Sequence, residues 1–121
     1  MFVLDTNILI YYAANDRLVV EFLERNESNP IYIPTIVVAE FLSFRLITPT
    51  AVRIFEQFEK QAYIFPLDLS VAHLAAQIRK ESNLKLADAI IAATALVTGS
   101  AVVTRNVRDF RKVRDLLVIN P

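Results

Sequence analysis

The chain begins MFVLDTNILI, residues 1–10, and this stretch places a carboxylate at the end of an apolar run. Residues Phe2–Leu4 are apolar and of β type, so they predict a short buried strand that ends at Asp5. Burying an isolated ionised carboxylate costs on the order of several kcal/mol, so such a group is usually paired, protonated or bound to a metal ion. The rest of the chain indicates which of these applies to Asp5.

Short apolar segments alternate along the chain with longer stretches of helical period. Four further strands are predicted, each bounded by Pro, Asp, Gly or polar residues: Ile31–Ile33, Tyr63–Phe65, Ala101–Thr104 and Leu117–Ile119. Helices are predicted at Asn7–Ala14, Arg17–Arg25, Ile36–Arg45, Thr50–Lys60, onward from Ser70, and at Leu86–Val97, with Thr35 and Ser70 as N-caps. Short strands separated by helices predict an α/β fold in which four to five strands form one parallel sheet, and the length fits a single domain, residues 1–121.

Composition limits the classes of partner. The chain carries 13 basic and 13 acidic residues, so it has no overall field that would attract nucleic acid. Five basic residues lie between Arg105 and Arg114, and any nucleic-acid contact rests on this basic run, for which a solvated helix face is the alternative explanation. Hydrophobic residues make up 55%, which predicts partner-covered surface, but no uncharged apolar stretch approaches the ~18 residues of a membrane span. We therefore expect a cytoplasmic protein without a membrane segment.

Missing residue types exclude several kinds of catalytic site. The single glycine, Gly99, leaves no glycine-rich phosphate-binding loop, and the absence of Cys excludes thiolate catalysis and Cys-ligated zinc. The single histidine, His73, lies beside apolar residues at helical spacing, so we expect partial burial rather than a place in a Ser-His-Asp triad. Carboxylates remain as catalytic groups, and without His or Cys they favour Mg²⁺ or Mn²⁺.

Three acidic residues lie in apolar surroundings: Asp5, Glu40 within IVVAEFL, and Asp88 within LKLADAIIAATAL. Each has a structural explanation. Asp5 can cap the helix that follows it, Asp88 can complement the dipole of its helix, and Glu40 can pair with Arg45. A single shared cause is more economical than three separate ones, and a divalent cation supplies it, because convergent carboxylates repel one another unless they are neutralised.

The expected place for such a site is the edge of the sheet where the strands end. In an open parallel sheet, ligands bind beyond the carboxyl ends of the strands, where the strand order reverses. Asp5 lies at that edge, and Asn106 and Asp109 follow the fourth predicted strand as further oxygen ligands. For Asp88 we expect the opposite: a helix leading into strand Ala101–Thr104 would start at the other end of the sheet, so the loop Glu81–Leu86 would have to return it to the site.

Four motifs together resemble those of a known family. They are VLDTN at residues 3–7, AE at 39–40, LADAIIAATAL at 86–96 and VTRNVRDF at 103–110. In this order and over essentially the whole chain they resemble the PIN-domain ribonucleases, especially the bacterial and archaeal VapC-type toxins. The resemblance implies a three-layer α/β/α sandwich and an endoribonuclease that uses Mg²⁺ or Mn²⁺. It also implies a homodimer and, often, a neutralising antitoxin protein encoded beside the toxin.

The resemblance also assigns residues. Asp5, Glu40 and Asp88 look like the family's metal-binding acids, with supporting polar residues at Thr6, Asn7 and Thr104. The fourth acidic role is divided between Asn106, where many members carry Asp, and Asp109, which is slightly favoured for its charge. As a mechanistic hypothesis, a metal-activated water attacks the RNA phosphodiester, and the basic run, with Arg105, Arg108 and Arg111, holds the RNA backbone.

Two alternatives stay open. The first is a PIN-like domain that has lost catalysis and binds proteins, which the apolar excess supports and the three unneutralised acids oppose. The second is an aspartyl-phosphate phosphatase or receiver domain, which also starts from an acid at a strand end. It requires a characteristic lysine or a second acid two residues later, where this chain has Asn7.

Overall fold

The apolar segment that opens the chain forms the central strand of the sheet. The structure is a computed structural model that describes all 121 residues. Its five strands are β1 (Phe2–Leu4), β2 (Ile31–Pro34), β3 (Tyr63–Phe65), β4 (Ala101–Val103) and β5 (Val118–Ile119). They pair in the order β3-β2-β1-β4-β5, and every neighbouring pair is parallel. The predicted α/β class and parallel sheet are therefore confirmed.

Seven helices connect and flank the strands, which confirms the predicted α/β sandwich. They are α1 (Thr6–Ala13), α2 (Arg17–Arg25), α3 (Thr35–Leu42), α4 (Pro49–Gln61), α5 (Leu69–Ser82), α6 (Leu86–Thr98) and α7 (Val107–Phe110). Residues 89–95 of α6 are all buried, because this Ala-rich helix packs against the sheet, α3 and α5 together. None of the seven helices has the length and apolar character needed to cross a bilayer.

Most predicted helices agree with the structure within a few residues, but both predicted caps are wrong. The Thr35 hydroxyl accepts a hydrogen bond from the Leu67 N–H at 3.2 Å, because Thr35 is already the first residue of α3 and follows Pro34. Asp68 rather than Ser70 caps α5, since its carboxylate accepts the Val71 N–H at 2.9 Å.

His73 is exposed, so the expectation of partial burial is also wrong. Helix α5 buries Val71, Ala75 and Ile78 on one side. His73 is two residues from Val71 and from Ala75, which on an α-helix places it on the opposite side.

The order of the strands reverses beside β1. From β1 the chain moves to β2 and β3 on one side, and it then crosses to β4 and β5 on the other. The carboxyl ends of β1 and β4 therefore meet at the crevice where ligands bind in parallel sheets of this kind. Asp5 follows β1 and Thr104 follows β4, and their side chains are hydrogen-bonded across 99 positions of sequence.

Candidate metal site

A cavity of 340 Å³ opens beside the carboxyl ends of β1 and β4. Its polar lining residues are Asp5, Thr6, Asn7, Glu40, Lys85, Asp88 and Asn106. Three of them are the acids that the sequence singled out, and they come from β1, α3 and α6. A slightly larger cavity of 370 Å³ lies between α2 and α4, but it does not bring together carboxylates from separate elements.

Asp5 is buried, with 6% of its surface exposed, and both of its carboxylate oxygens are engaged. Oδ1 accepts the Ile8 N–H at 2.9 Å, which makes Asp5 the N-cap of α1, and Oδ2 accepts the Thr104 hydroxyl. Burial raises the pKa of this carboxyl, the two hydrogen bonds act against the rise, and the charge of Glu40 adds to it. Asp5 therefore caps a helix and lines the cavity at the same time, so the two explanations do not compete.

Asp88 lies in the first turn of α6 and faces the same cavity. Burial raises its pKa, and the charges of Asp5, Glu40 and Asp109 raise it further. The expectation that α6 starts at the far end of the sheet is wrong. Because α6 leads through Gly99 and Ser100 directly into β4, it runs antiparallel to that strand, and its first turn lies beyond the strand's carboxyl end.

Glu40 is exposed on α3 and is oriented by the start of α1. The Thr6 hydroxyl donates to Glu40 Oε1 at 2.6 Å. Since Thr6 directly follows Asp5, one turn of chain both contributes a carboxylate and orients a second. The predicted supporting role of Thr6 is therefore consistent with its contact, although the role itself stays a prediction.

Asn106 and Asp109 take different positions. Asn106 lines the cavity, its N–H donates to the Thr104 hydroxyl oxygen at 2.9 Å, and its Nδ2 donates to Asp109 Oδ2 at 3.0 Å. Asp109 bonds to Asn106 and does not line the cavity, although its charge acts on Asp88. The hydrogen bond from Asn106, followed by the nearby charge of Lys112, lowers the pKa of Asp109. Which of the two fills the fourth role stays a prediction, but the amide is the group that faces the site.

The arginines of the basic run differ in their surroundings. Arg108 and Arg111 are exposed. Arg105 instead forms a two-fold hydrogen-bonded ion pair with Asp16 and does not line the cavity. RNA binding by these three arginines stays a prediction.

The donor set fits a hard divalent cation, because every candidate ligand presents oxygen. Burial and the charges of neighbouring carboxylates raise the pKa of Asp5 and of Asp88, and a cation among these groups would offset both effects. No three acidic side chains are close enough to ligate one ion together. This arrangement suits Mg²⁺, which keeps several of its water ligands and needs only one or two direct carboxylates.

Sequence reasoning missed one residue. Lys85 is the only basic side chain that lines the cavity, and it directly precedes α6. Its position three residues before Asp88, in the loop that opens the helix, was the available signal.

Comparison with known proteins places the chain among similar ones. The model of the PIN domain family matches residues 2–116. A toxin–antitoxin complex from Klebsiella pneumoniae has a chain that superposes with a TM-score of 0.84 at 28% identity, covering 100% of this chain and 98% of its own. FitAcB from Neisseria gonorrhoeae gives a TM-score of 0.80 at 30% identity, with coverages of 100% and 98%.

VapBC2 from Rickettsia felis, bound to a DNA fragment from its promoter, shares the fold with a TM-score of 0.84 at 22% identity. The match covers 99% of this chain and 98% of that one. Among curated protein sequences none matches significantly.

Proposed function

This chain belongs to the PIN domain family, and on that premise we propose that it is a VapC-type toxin and a Mg²⁺- or Mn²⁺-dependent endoribonuclease that hydrolyses RNA phosphodiester bonds. The observation that supports the proposal is the convergence of Asp5, Glu40 and Asp88 in one cavity at the reversal of strand order. Their oxygen-only chemistry suits these two ions.

Asp5, Glu40 and Asp88 would hold the ion, one or two of them directly and the others through its water ligands. When bound, the ion lowers the pKa of a water so that it becomes a nucleophile at neutral pH, and it neutralises charge on the phosphoryl group. The protein's part is to hold the carboxylates in place. Ile8 and Thr104 fix both oxygens of Asp5, and Thr6 orients Glu40.

Lys85 would assist the approach of the substrate. Three acids line the cavity against a single basic side chain, so a phosphodiester would meet net repulsion there without the ion. The Lys85 ammonium stands at the cavity without an ion-pair partner within 4.0 Å, as the four salt bridges of the chain all involve other residues. We assign it to contact with a phosphate oxygen. Single-stranded or looped RNA is the expected substrate class, because an A-form duplex hides its base edges.

The proposal is tested by divalent-dependent cleavage of single-stranded RNA combined with thermal unfolding. We expect cleavage with Mg²⁺ or Mn²⁺ but not with EDTA, together with a rise in the unfolding midpoint. At 100 times the dissociation constant, binding to the native state alone stabilises it by about 2.7 kcal/mol. The matched control is the triple variant Asp5→Asn, Glu40→Gln, Asp88→Asn, which excludes a contaminating ribonuclease.

Absence of both cleavage and the thermal shift would favour the alternative, a PIN-like protein-binding module without catalysis. A thermal shift without cleavage would instead retain the metal site and reject the chosen substrate class. The triple variant must show neither response.

A neutralising antitoxin and a homodimer complete the proposal. The antitoxin is supported by the similar chains, which include one in a toxin–antitoxin complex from Klebsiella pneumoniae. The homodimer and the cytoplasmic location rest on the motif resemblance and stay predictions.

The exposed arginines of the basic run lead to a separate prediction. Arg108→Ala combined with Arg111→Ala should raise KM for RNA, because both side chains are solvent-exposed and free to meet phosphates. The logarithmic salt dependence of binding should flatten by about 1 per lost contact, while kcat changes little. The matched control is Arg25→Ala combined with Arg53→Ala, two exposed arginines on α2 and α4. An unchanged salt slope in the first variant would remove the basic run from RNA binding.

A further inference from the structure

Arg105 occupies an unusual place in the chain. Thr104, which precedes it, is bonded to Asp5, and Asn106, which follows it, lines the cavity. The Arg105 side chain does not join them and reaches instead to the junction between α1 and α2. A basic residue between two site residues that turns away from the site requires an explanation other than substrate contact.

Arg105 forms an ion pair with Asp16 whose geometry fixes the orientation of the guanidinium. Nη1 donates to Asp16 Oδ2 at 2.9 Å and Nη2 donates to Asp16 Oδ1 at 2.7 Å. Two parallel bonds between planar groups fix direction as well as distance. The guanidinium also lies 4.5 Å from the centre of the Tyr11 ring, which adds a cation–π contact from α1. The side chain of Arg105 is 31% exposed, but both of its terminal nitrogens already donate to Asp16.

The two residues that Arg105 contacts, Asp16 and Tyr11, have fixed positions at helices. Asp16 is the N-cap of α2, and its Oδ1 accepts the Val19 N–H at 3.3 Å. Tyr11 belongs to α1, the helix that Asp5 caps. The arginine is therefore tied to two helix positions that tertiary packing already fixes.

The loop that Arg105 ties down carries the fourth part of the site. It joins β4 to α7, and within it the Asn106 N–H donates to Thr104, while the Asn106 side chain donates to Asp109. The Thr104 hydroxyl donates to Asp5 and thereby holds the start of the loop at the N-cap of α1. The Arg105–Asp16 ion pair is the side-chain contact that holds the loop against the start of α2.

We propose that Arg105 is a positioning residue, which with Asp16 and Tyr11 clamps the β4–α7 loop and thereby holds Asn106 at the cavity, rather than a residue that binds RNA. The inference rests on the proposed ribonuclease function for its effect on rate. It replaces the RNA-binding role that the sequence suggested for Arg105 and leaves Arg108 and Arg111 in that role.

Two variants test the clamp. Arg105→Lys keeps the positive charge but cannot form the two parallel hydrogen bonds to Asp16. Asp16→Ser keeps an oxygen that can cap α2 but removes the carboxylate that accepts those two bonds. For both we expect kcat to fall about tenfold with KM and the salt slope unchanged, because the loop is displaced while substrate binding is not. Hydrogen exchange of the amides of residues 104–110 should become faster.

The matched control is Arg17→Ala. Arg17 is the next residue after Asp16, its side chain is 87% exposed, and it pairs only with Glu21 on its own helix. This variant should leave kcat, KM and loop exchange as they are.

A raised KM with unchanged kcat in Arg105→Lys, or tighter RNA binding in Asp16→Ser through a freed arginine, would overturn the proposal. So would unchanged kcat and unchanged loop exchange in both variants. If the unsubstituted protein cleaves no RNA, the ribonuclease function fails, and loop exchange alone then decides: faster exchange in both variants supports the clamp, and unchanged exchange rejects it.

Discussion

Replacement of Asp5 by Asn is expected to lower divalent-dependent RNA cleavage by about 10²–10³-fold while the protein remains folded. The loss follows because a negative ligand for the ion becomes neutral, and the ion's stabilisation of transition-state charge amounts to several kcal/mol, at about 1.4 kcal/mol for each tenfold in rate. The fold survives because the Asn side-chain oxygen can still accept the Ile8 N–H and caps about as well as Asp. Initial cleavage rates and thermal unfolding of the same sample measure both effects.

Asp5→Ala separates capping from chemistry. It removes the acceptor for the Ile8 N–H and for the Thr104 hydroxyl, so we expect the free energy of unfolding to fall by about 2 kcal/mol in addition to the loss of cleavage. Asp68 offers a matched control, because it caps α5 with the same 2.9 Å geometry away from the cavity. Asp68→Asn should leave cleavage unchanged. Retention of cleavage in Asp5→Asn would contradict the metal-binding role.

Asp88→Asn is expected to reduce cleavage by a similar factor and, in the absence of metal, to make the protein more stable at neutral pH. The pKa of Asp88 is raised by burial and by the charges of Asp5, Glu40 and Asp109, so its ionised form is unfavourable in the metal-free fold. An amide of the same shape removes that cost. The stabilisation by Mg²⁺ should disappear in this variant, so function and metal-free stability move in opposite directions.

The pH dependence has a definite sign. Because the folded pKa of Asp88 lies above its unfolded value near 3.8, the native state binds more protons than the unfolded state between the two values. Asp88 therefore adds to the free energy of unfolding below about pH 4, and this stabilisation is lost as the pH rises through the folded pKa of the group. In Asp88→Asn, stability should therefore fall less as the pH rises. Unfolding midpoints measured from pH 4 to 7 in EDTA would show the difference.

Asp109→Asn is the contrasting variant. The pKa of Asp109 is lowered, first by the Asn106 hydrogen bond, so its ionised form is favoured and its neutralisation should give no stabilisation at neutral pH. The stabilisation that ionised Asp109 gives the native state is lost only as the pH falls through its lowered pKa. Equal stabilisation by the Asp88 and Asp109 variants would show that general surface charge, rather than crowding of carboxylates in the cavity, governs the effect.

The sequence by itself determined the elements of this protein and its candidate acids. Apolar runs of three or four residues predicted the strands, because β1 and β4 at the centre of the sheet have buried side chains on both faces. Asp5 and Asp88 could be found as charges in apolar surroundings, since burying a charge is costly wherever it occurs. Glu40 was found by the same pattern although its side chain is exposed. The four motifs then indicated the PIN domain family, which the family model that matches residues 2–116 confirms.

Only the tertiary structure decided which side chains meet. Thr35 bonds to Leu67 on another segment, and α3 begins after Pro34 without a side-chain cap. Arg105 could not be separated from Arg108 and Arg111 by charge or spacing, because its partner Asp16 is 89 positions away. Local sequence encodes the cost of burying or exposing a group, whereas the partner that relieves this cost is set by how distant segments pack.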